Sequence, residues 1–297
     1  MMLTIIWVVF VLLAVWIGIA LVSDFLKHRN NLENNSWTKT GFIGFVGNFF
    51  DTLGIGSFAI ETALFKFMKQ SEDRLLPGTL NVANAIPTVV QAIIFIQIVE
   101  VEPLTLVLML VASGAGAVLG AGIVAKFSER RIRLVMGIAL LITAMFMTAT
   151  KLNLIEGGGE AIGLEGYKLV IAVVVNFILG ALMTAGIGLY APCMALIFAL
   201  GMSPTVAFPI MMGSCAVLMP MASLKFIKEG FYNRRASFII MFTGVVAVLI
   251  AAFFVKSLPL GMLRWLVIAV IIYTAIVMLQ AARSNGEAQP KKILNGT

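Results

Sequence analysis

The chain has 297 residues, of which 61% are hydrophobic and only 12% are charged, and its mean hydropathy is +1.04. These values exclude a soluble globular protein and are typical of a polytopic membrane protein. The net charge of +7 is carried by loops that contain no nucleic-acid-binding motif, so we expect no nucleic-acid partner.

Seven apolar stretches are each about 20 residues long, enough to cross a hydrocarbon core about 30 Å thick. They are residues 3–22, 80–98, 104–125, 132–150, 205–224, 236–255 and 263–282. No basic region of the kind found in a cleaved signal peptide precedes the first stretch, so it is predicted to be a retained span. Two further stretches, 41–67 and 169–200, are interrupted by glycines. The predicted fold is therefore an all-α protein in a lipid bilayer.

The chain offers few groups for metal or nucleophilic chemistry. Cys193 and Cys215 lie inside apolar stretches, where small buried thiols are the ordinary interpretation. His28 is the only histidine and lies in a loop, which leaves no Ser-His or Cys-His arrangement. No phosphate-binding loop is present either. We therefore expect no enzyme activity, no metal site and no cofactor.

A short motif occurs twice. Residues 52–56, TLGIG, recur 132 residues later as residues 184–188, TAGIG, and Pro77 falls on Pro209 at the same offset. The chain is therefore interpreted as a duplication. Glycine-broken segments at corresponding positions of two halves are typical of secondary transporters, whose broken helices meet near the bilayer midplane.

The predicted organisation follows from this duplication. It is an N-terminal span and loop (1–40), a first transmembrane repeat (41–150), an external loop (151–167), a second transmembrane repeat (168–282) and a cytoplasmic tail (283–297).

Charged loops predict how the chain crosses the membrane. Basic residues cluster near positions 27–39, 66–74, 126–133 and 225–235, whereas residues 100–102 and 156–165 are acidic. If each broken segment crossed the membrane once, the positive-inside rule would fail twice. If each instead returns to its starting side, as a re-entrant hairpin or two tilted half-helices, all four basic loops become cytoplasmic. The prediction is two inverted repeats with an external N-terminus and a cytoplasmic C-terminus.

The two breaks are the predicted substrate site. Irregular backbone at membrane depth must be covered by protein or must line a water-filled cavity. New half-helices are expected to begin near Ser57 and Tyr190, and their free N–H groups favour an anion. The alternative is that these glycines only permit close helix packing, as expected for Gly114, Gly116, Gly120 and Gly122. The predicted substrate-binding residues are Asn48, Thr52, Gly54, Gly56, Ser57, Thr79, Asn81, Asn84, Thr184, Gly186, Gly188, Tyr190 and Ser214.

Two acidic residues in the first broken segment are energetically unfavourable inside a membrane. A carboxylate near the bilayer centre costs on the order of 3 kcal/mol on insertion scales. Asp51 and Glu61 correspond to Met183 and Cys193 in the second half, so the fold does not require them. We predict that they couple transport to protons or sodium. The alternative is that Asp51 caps the broken helix and that Glu61 pairs with Lys66.

These motifs resemble the sulfite exporter TauE/SafE family, also called TSUP. The resemblance covers about residues 41–282. It is carried by Gly47-Asn48, Gly54-Ile55-Gly56 and Gly78-Thr79 in the first half, and by Gly180, Gly186-Ile187-Gly188, Ala191-Pro192, Ser203 to Thr205, Gly213-Ser214 and Ser223 to Gly230 in the second. Ser57 and Ile60-Glu61 depart from the usual glycine and proline steps of the family.

The resemblance implies a secondary transporter that exports a small sulfur-containing anion, such as sulfite or an organosulfonate, across a bacterial inner membrane. Transport would be proton-coupled or facilitated, and a homo-oligomer is compatible with the sequence. Two alternatives stay open. One is transport of another small metabolite or of a cation, using Asp51 and Glu61. The other, weaker alternative is an intramembrane enzyme.

Overall fold

The structure is a computed structural model that describes residues 2–152, 154, 159–254 and 260–284. Within these residues the chain forms α-helices and short 3-10 turns and contains no β-strand, which confirms the all-α prediction. The helices are α1 Met2–Lys27, α2 Trp37–Thr52, α3 Ser57–Met68, α4 Leu76–Ile98, α5 Pro103–Val124, α6 Glu129–Lys151, α7 Gly166–Met183, α8 Tyr190–Ala199, α9 Ala207–Glu229, α10 Arg234–Phe254 and α11 Leu260–Ser284. The predicted tail lies outside the described residues from position 285 onward.

Six of the described helices are long and apolar enough to cross a membrane by length and composition: α1, α4, α5, α7, α9 and α10. Helices α6 and α11 cover the other predicted spans, 132–150 and 263–282. A polytopic membrane protein is thereby confirmed.

The order of elements occurs twice along the chain. Helices α2 and α3 are followed by a 3-10 turn at Asp73–Leu75 and then by α4, α5 and α6. Helices α7 and α8 are followed by a 3-10 turn at Pro204–Val206 and then by α9, α10 and α11. The contacts between the halves match as well, since α5 packs on α7, α10 on α2, and α4 on α9. The two halves are therefore interlocked, and the core lies between them.

Each broken segment returns to the end of the molecule from which it started. At the start of α2, the Ser36 N–H donates to Gln70 Oε1, just beyond α3, at 2.7 Å. In the second half, Lys168 Nζ in the first turn of α7 donates to the carbonyl of Leu200, which follows α8, at 3.2 Å. The pairs α2–α3 and α7–α8 are therefore hairpins.

The two hairpins open at opposite ends of the molecule. Helix α4 has 23 residues and so spans about 34 Å, leading from the turn beside α3 to the loop that contains Glu102. The Glu102 N–H donates to the Ile162 carbonyl, which precedes α7, at 2.8 Å. The start of α7 therefore lies at the far end of α4 from α3. How these two ends face the membrane stays a prediction.

Most of the ion pairs in the described part of the chain lie at the end where α2–α3 opens. Asp73 lies 2.7 Å from both Lys66 Nζ of α3 and Arg133 Nε of α6. On the other side of this end, Arg234 Nε of α10 lies 2.8 Å from Asp24 Oδ2 of α1. All four basic loops thus contribute to one end of the molecule.

Some glycines outside the breaks are there for close packing, as predicted. A Cβ on Gly116 would lie 1.9 Å from the Phe177 carbonyl oxygen, and one on Gly120 would lie 2.5 Å from the Ala181 carbonyl oxygen. Helices α5 and α7 therefore approach with their backbones in contact. Gly122 differs, because the nearest atom to its added Cβ is 3.8 Å away. It does not serve close packing.

The membrane orientation can be measured by cysteine labelling. In a background without Cys193 and Cys215, single cysteines at Glu100 and Glu160 are expected to react with a membrane-impermeant maleimide on intact cells. Cysteines at Arg29 and Glu72, which flank the α2–α3 hairpin, are expected to react only after permeabilisation, because basic loops are retained in the cytoplasm. Labelling of Arg29 and Glu72 from opposite sides of the membrane would contradict the hairpin topology.

Candidate functional site

The two breaks line one cavity of about 30 Å³. Its wall includes six of the predicted site and coupling residues: Asp51, Gly56, Ser57, Gly186, Gly188 and Tyr190. The rest of the wall is apolar and comes from Ile55, Phe58, Ala59, Leu140, Met183, Leu189 and Met219. Segments 132 residues apart in sequence therefore meet around one central space, which we call the central cavity.

Glycine makes the first break possible. Helix α2 ends at Thr52, and the chain reverses through Gly54 at φ +80° and Gly56 at φ +94°. These backbone angles are strained for residues with a Cβ. Helix α3 then begins at Ser57, so its N-terminal backbone faces the central cavity.

The second break is built in a similar way. Gly186 has φ +92°, and the Ala185 N–H donates to the Leu182 carbonyl at 2.9 Å as α7 ends. Helix α8 starts at Tyr190. A Cβ added to Gly188 would meet no atom within 4 Å. Gly188 therefore keeps part of the central cavity open.

Asp51 joins the two halves of the protein. Its Oδ1 accepts a hydrogen bond from the Ser57 N–H, the first free donor of α3. Its Oδ2 lies 3.0 Å from the Tyr190 hydroxyl, at the start of α8. The residue is 2% exposed. Asp51 therefore caps the broken helix, as one alternative held, and it also lines the central cavity and contacts the opposite break.

Helix α4 supports this contact through a residue that was not predicted to belong to the site. The Tyr190 hydroxyl lies 3.0 Å from Gln91 Oε1, and Gln91 Nε2 donates to Thr52 Oγ1 at 3.1 Å. Thr52 Oγ1 in turn donates to the Asn48 carbonyl at 2.8 Å. Gln91 is fully buried at 0% exposure, and a long polar side chain inside an apolar span was the only signal for it.

Glu61 lies behind the central cavity and is held by two asparagines. Asn84 Nδ2 donates to Oε2 at 2.8 Å, and Asn48 Nδ2 donates to Oε1 at 3.2 Å. Asn48 Nδ2 also lies 2.7 Å from Asn84 Oδ1. The proposed pairing of Glu61 with Lys66 is wrong, because Lys66 bonds to Asp73 instead. Among the described residues, no cation lies within ion-pair distance of Glu61 or Asp51.

Eight predicted substrate-binding residues do not line the central cavity. Three of them, Asn48, Thr52 and Asn84, belong to the hydrogen-bond network described above. Thr79 accepts from the Asn233 N–H at the start of α10, at 2.9 Å. Ser214 accepts from Asn176 Nδ2 at 2.9 Å between α7 and α9. Asn81 and Thr184 donate to carbonyls of their own helices, those of Pro77 and Ala181. These four side chains therefore bond to a neighbouring helix or to their own helix. Gly54 lies against Phe208 on the side of its break that does not line the cavity.

The part of the chain that the structure describes contains no group of three or more His, Cys, Asp or Glu side chains that could hold a metal ion. Cys193 and Cys215 are both buried and free. Cys215 Sγ lies 3.5 Å from Met183 Sδ, which lines the central cavity. The cavity wall thus includes the thioether of Met183, and the Cys215 thiol lies directly behind it.

The family model described as sulfite exporter TauE/SafE matches residues 1–147. This part of the chain, just under half of it, belongs to the family. It is a family of membrane transporters. No curated protein and no solved structure matches the chain.

The matched region covers α1 and the first run of elements, including Asp51, Glu61 and the first break. The resemblance to the family seen in the sequence motifs covers about residues 41–282, and many of these motif residues lie in the second half. The second half shares the order of elements with the first but lies beyond the match.

Proposed function

We propose that this TauE/SafE family transporter carries a small sulfur-containing anion, sulfite or an organosulfonate, across the inner membrane in the direction of export, together with a proton. The observation that carries the proposal is that both glycine breaks line one cavity. Half-helix N-termini that meet at the centre of a membrane protein form an anion site of the kind secondary transporters use. The family description supports a sulfur-containing anion.

The central cavity is too small for the proposed substrate in this conformation. At about 30 Å³ it has room for a water molecule or two, so a sulfite-sized anion requires the breaks to separate. The Asp51–Tyr190 contact, 3.0 Å long, bridges the two breaks. Because α2–α3 and α7–α8 open at opposite ends, movement of either hairpin would open the cavity toward one side only. This is the geometry that alternating access requires.

Asp51 supplies the coupling in this proposal. Its carboxylate occupies the Ser57 N–H, which is one of the donors an incoming anion would use. An ionised Asp51 therefore competes with the anion for that donor and also repels it. A proton on Asp51 removes the repulsion and weakens the hold of its carboxyl group on that donor. The anion and the proton are thus expected to bind together and to cross together.

Proteoliposomes provide the test. Vesicles loaded with methanesulfonate are expected to release it through the protein, faster when the loaded side is acidified and without dependence on membrane potential, because the proton compensates the charge of the anion. Vesicles with Gly188→Leu protein serve as the inactive control. Efflux no faster than from protein-free vesicles would contradict the function. Efflux that follows the potential and ignores pH would contradict the coupling.

A cation transporter is the second candidate, favoured by the buried carboxylate in the wall of the central cavity. Uptake of labelled sodium in the same vesicles, without any sulfur-containing anion, is the observation that would support it. Methanesulfonate release that proceeds equally well in sodium-free buffer would exclude a sodium-dependent mechanism.

A further inference from the structure

Among the described residues, the wall of the central cavity contains no positively charged side chain. Its polar members are Asp51, Ser57 and Tyr190, and the rest are glycines and apolar residues. The described residues that line the cavity include no lysine, arginine or histidine. An anion bound there would be held by hydrogen bonds and helix dipoles alone.

The described groups just outside the wall add no positive charge. The titratable groups near Asp51 and Tyr190 are Glu61 from α3, Cys193 from α8 and Cys215 from α9, all of which are acids. The basic side chain nearest along α3 is Lys66, nine residues beyond Ser57. That separation is about 14 Å along the helix axis, and Lys66 is already paired with Asp73.

Two half-helices can compensate about one negative charge. Each helix N-terminus acts as roughly half an elementary charge, and two of them, those of α3 and α8, reach the central cavity. The cost of removing an ion from water rises with the square of its charge, whereas its attraction to fixed dipoles rises only in proportion to the charge. A second negative charge is therefore strongly disfavoured in this cavity.

We infer that the central cavity selects singly charged anions of the sulfonate type, such as hydrogen sulfite or an alkanesulfonate, over the doubly charged sulfite and sulfate. This inference rests on the proposed function and narrows its substrate class. The charged SO3 group would face the N–H groups of the breaks. The remaining side of the anion would contact the thioethers of Met183 and Met219, which are soft and apolar.

Titration calorimetry on the purified full-length protein tests the inference, with methanesulfonate, sulfate and sulfite as probes. Methanesulfonate keeps its single charge at every pH used, so it reports any titration of Asp51 by itself. The ratio of sulfite affinity to methanesulfonate affinity then isolates the charge of the ligand. Above the pH at which sulfite and hydrogen sulfite are equal, this ratio is expected to fall about tenfold per pH unit.

Sulfate is expected to bind at least about 100-fold more weakly than methanesulfonate, equivalent to two such factors of ten. A ratio that stays constant with pH, or sulfate affinity equal to that of methanesulfonate, would overturn the selection for a single charge and leave the proposed transport intact. Absence of binding by all three probes would instead overturn the proposed function itself.

Discussion

Asp51→Asn is expected to abolish the acceleration of anion flux by protons while the anion still binds. Asparagine has nearly the same shape, and its Oδ1 can still accept the Ser57 N–H that Asp51 accepts. It cannot take up or release a proton. Measured as initial methanesulfonate flux against pH, the native rate should change by up to about tenfold per pH unit, and the rate of the variant should be flat.

Glu61→Gln is the matched comparison. Glu61 was also predicted as a coupling residue, but it lies behind the wall of the central cavity, between Asn48 and Asn84. The variant is expected to retain most of the pH dependence. If Glu61→Gln loses that dependence while Asp51→Asn keeps it, the coupling belongs to Glu61. If both variants keep it, the two carboxyl groups are structural.

Gly188→Leu is expected to lower anion affinity by at least about 100-fold, because a leucine side chain would fill the space that the ligand needs. The fold should tolerate the change, since no atom lies within 4 Å of the added Cβ and the backbone of Gly188 does not have a positive φ. Gly56→Leu is less informative. Its φ of +94° would add about 1 to 2 kcal/mol of backbone strain.

Gly122→Leu is the control for Gly188→Leu. It makes the same substitution within α5, outside the central cavity, where the nearest atom to the new Cβ is 3.8 Å away. Affinity for methanesulfonate, measured on monodisperse protein, should be native in this control. Native affinity in Gly188→Leu as well would remove the shared-site interpretation and leave the glycines of the second break with only a conformational role.

The features that could be predicted from sequence are those with a local or periodic signal. Glycine pairs in apolar stretches indicated both breaks, and the structure gives three of those glycines, Gly54, Gly56 and Gly186, positive φ angles. Loop charges indicated that each broken segment reverses, and the ends of α2–α3 and α7–α8 do meet. Hydropathy predicts which segments form helices, and basic residues predict which loops lie at the same end of the molecule. Both signals are local, because neither depends on residues that are distant in sequence.

The direction in which polar side chains point could not be predicted. Asn81 and Thr184 are buried polar residues in apolar segments, and their side chains donate to carbonyls three or four residues earlier. Asn84 makes the same kind of bond to the Leu80 carbonyl but also donates to Glu61. Serine, threonine and asparagine commonly bond to the preceding helical turn. Burial of a polar residue within a span therefore does not tell whether it faces a cavity.

The contact between the two breaks was also beyond sequence reasoning. The Tyr190 hydroxyl bonds to Asp51, 139 residues away, and lies beside Gln91, 99 residues away. No local pattern indicates such pairs, because they depend on how the interlocked halves pack. The same holds for Lys66, whose partner is Asp73 of the next turn and not the nearer Glu61.

Locating a bound anion tests the shared site most directly. Selenite is a close chemical analogue of sulfite, and its selenium can be located by anomalous scattering in crystals of the protein. The expected result is a selenium peak between the two breaks, within hydrogen-bonding distance of the N-terminal backbone of α3 and α8. A peak only in the separate cavity of about 350 Å³ beside Asn35 and Lys69, with none between the breaks, would contradict the account.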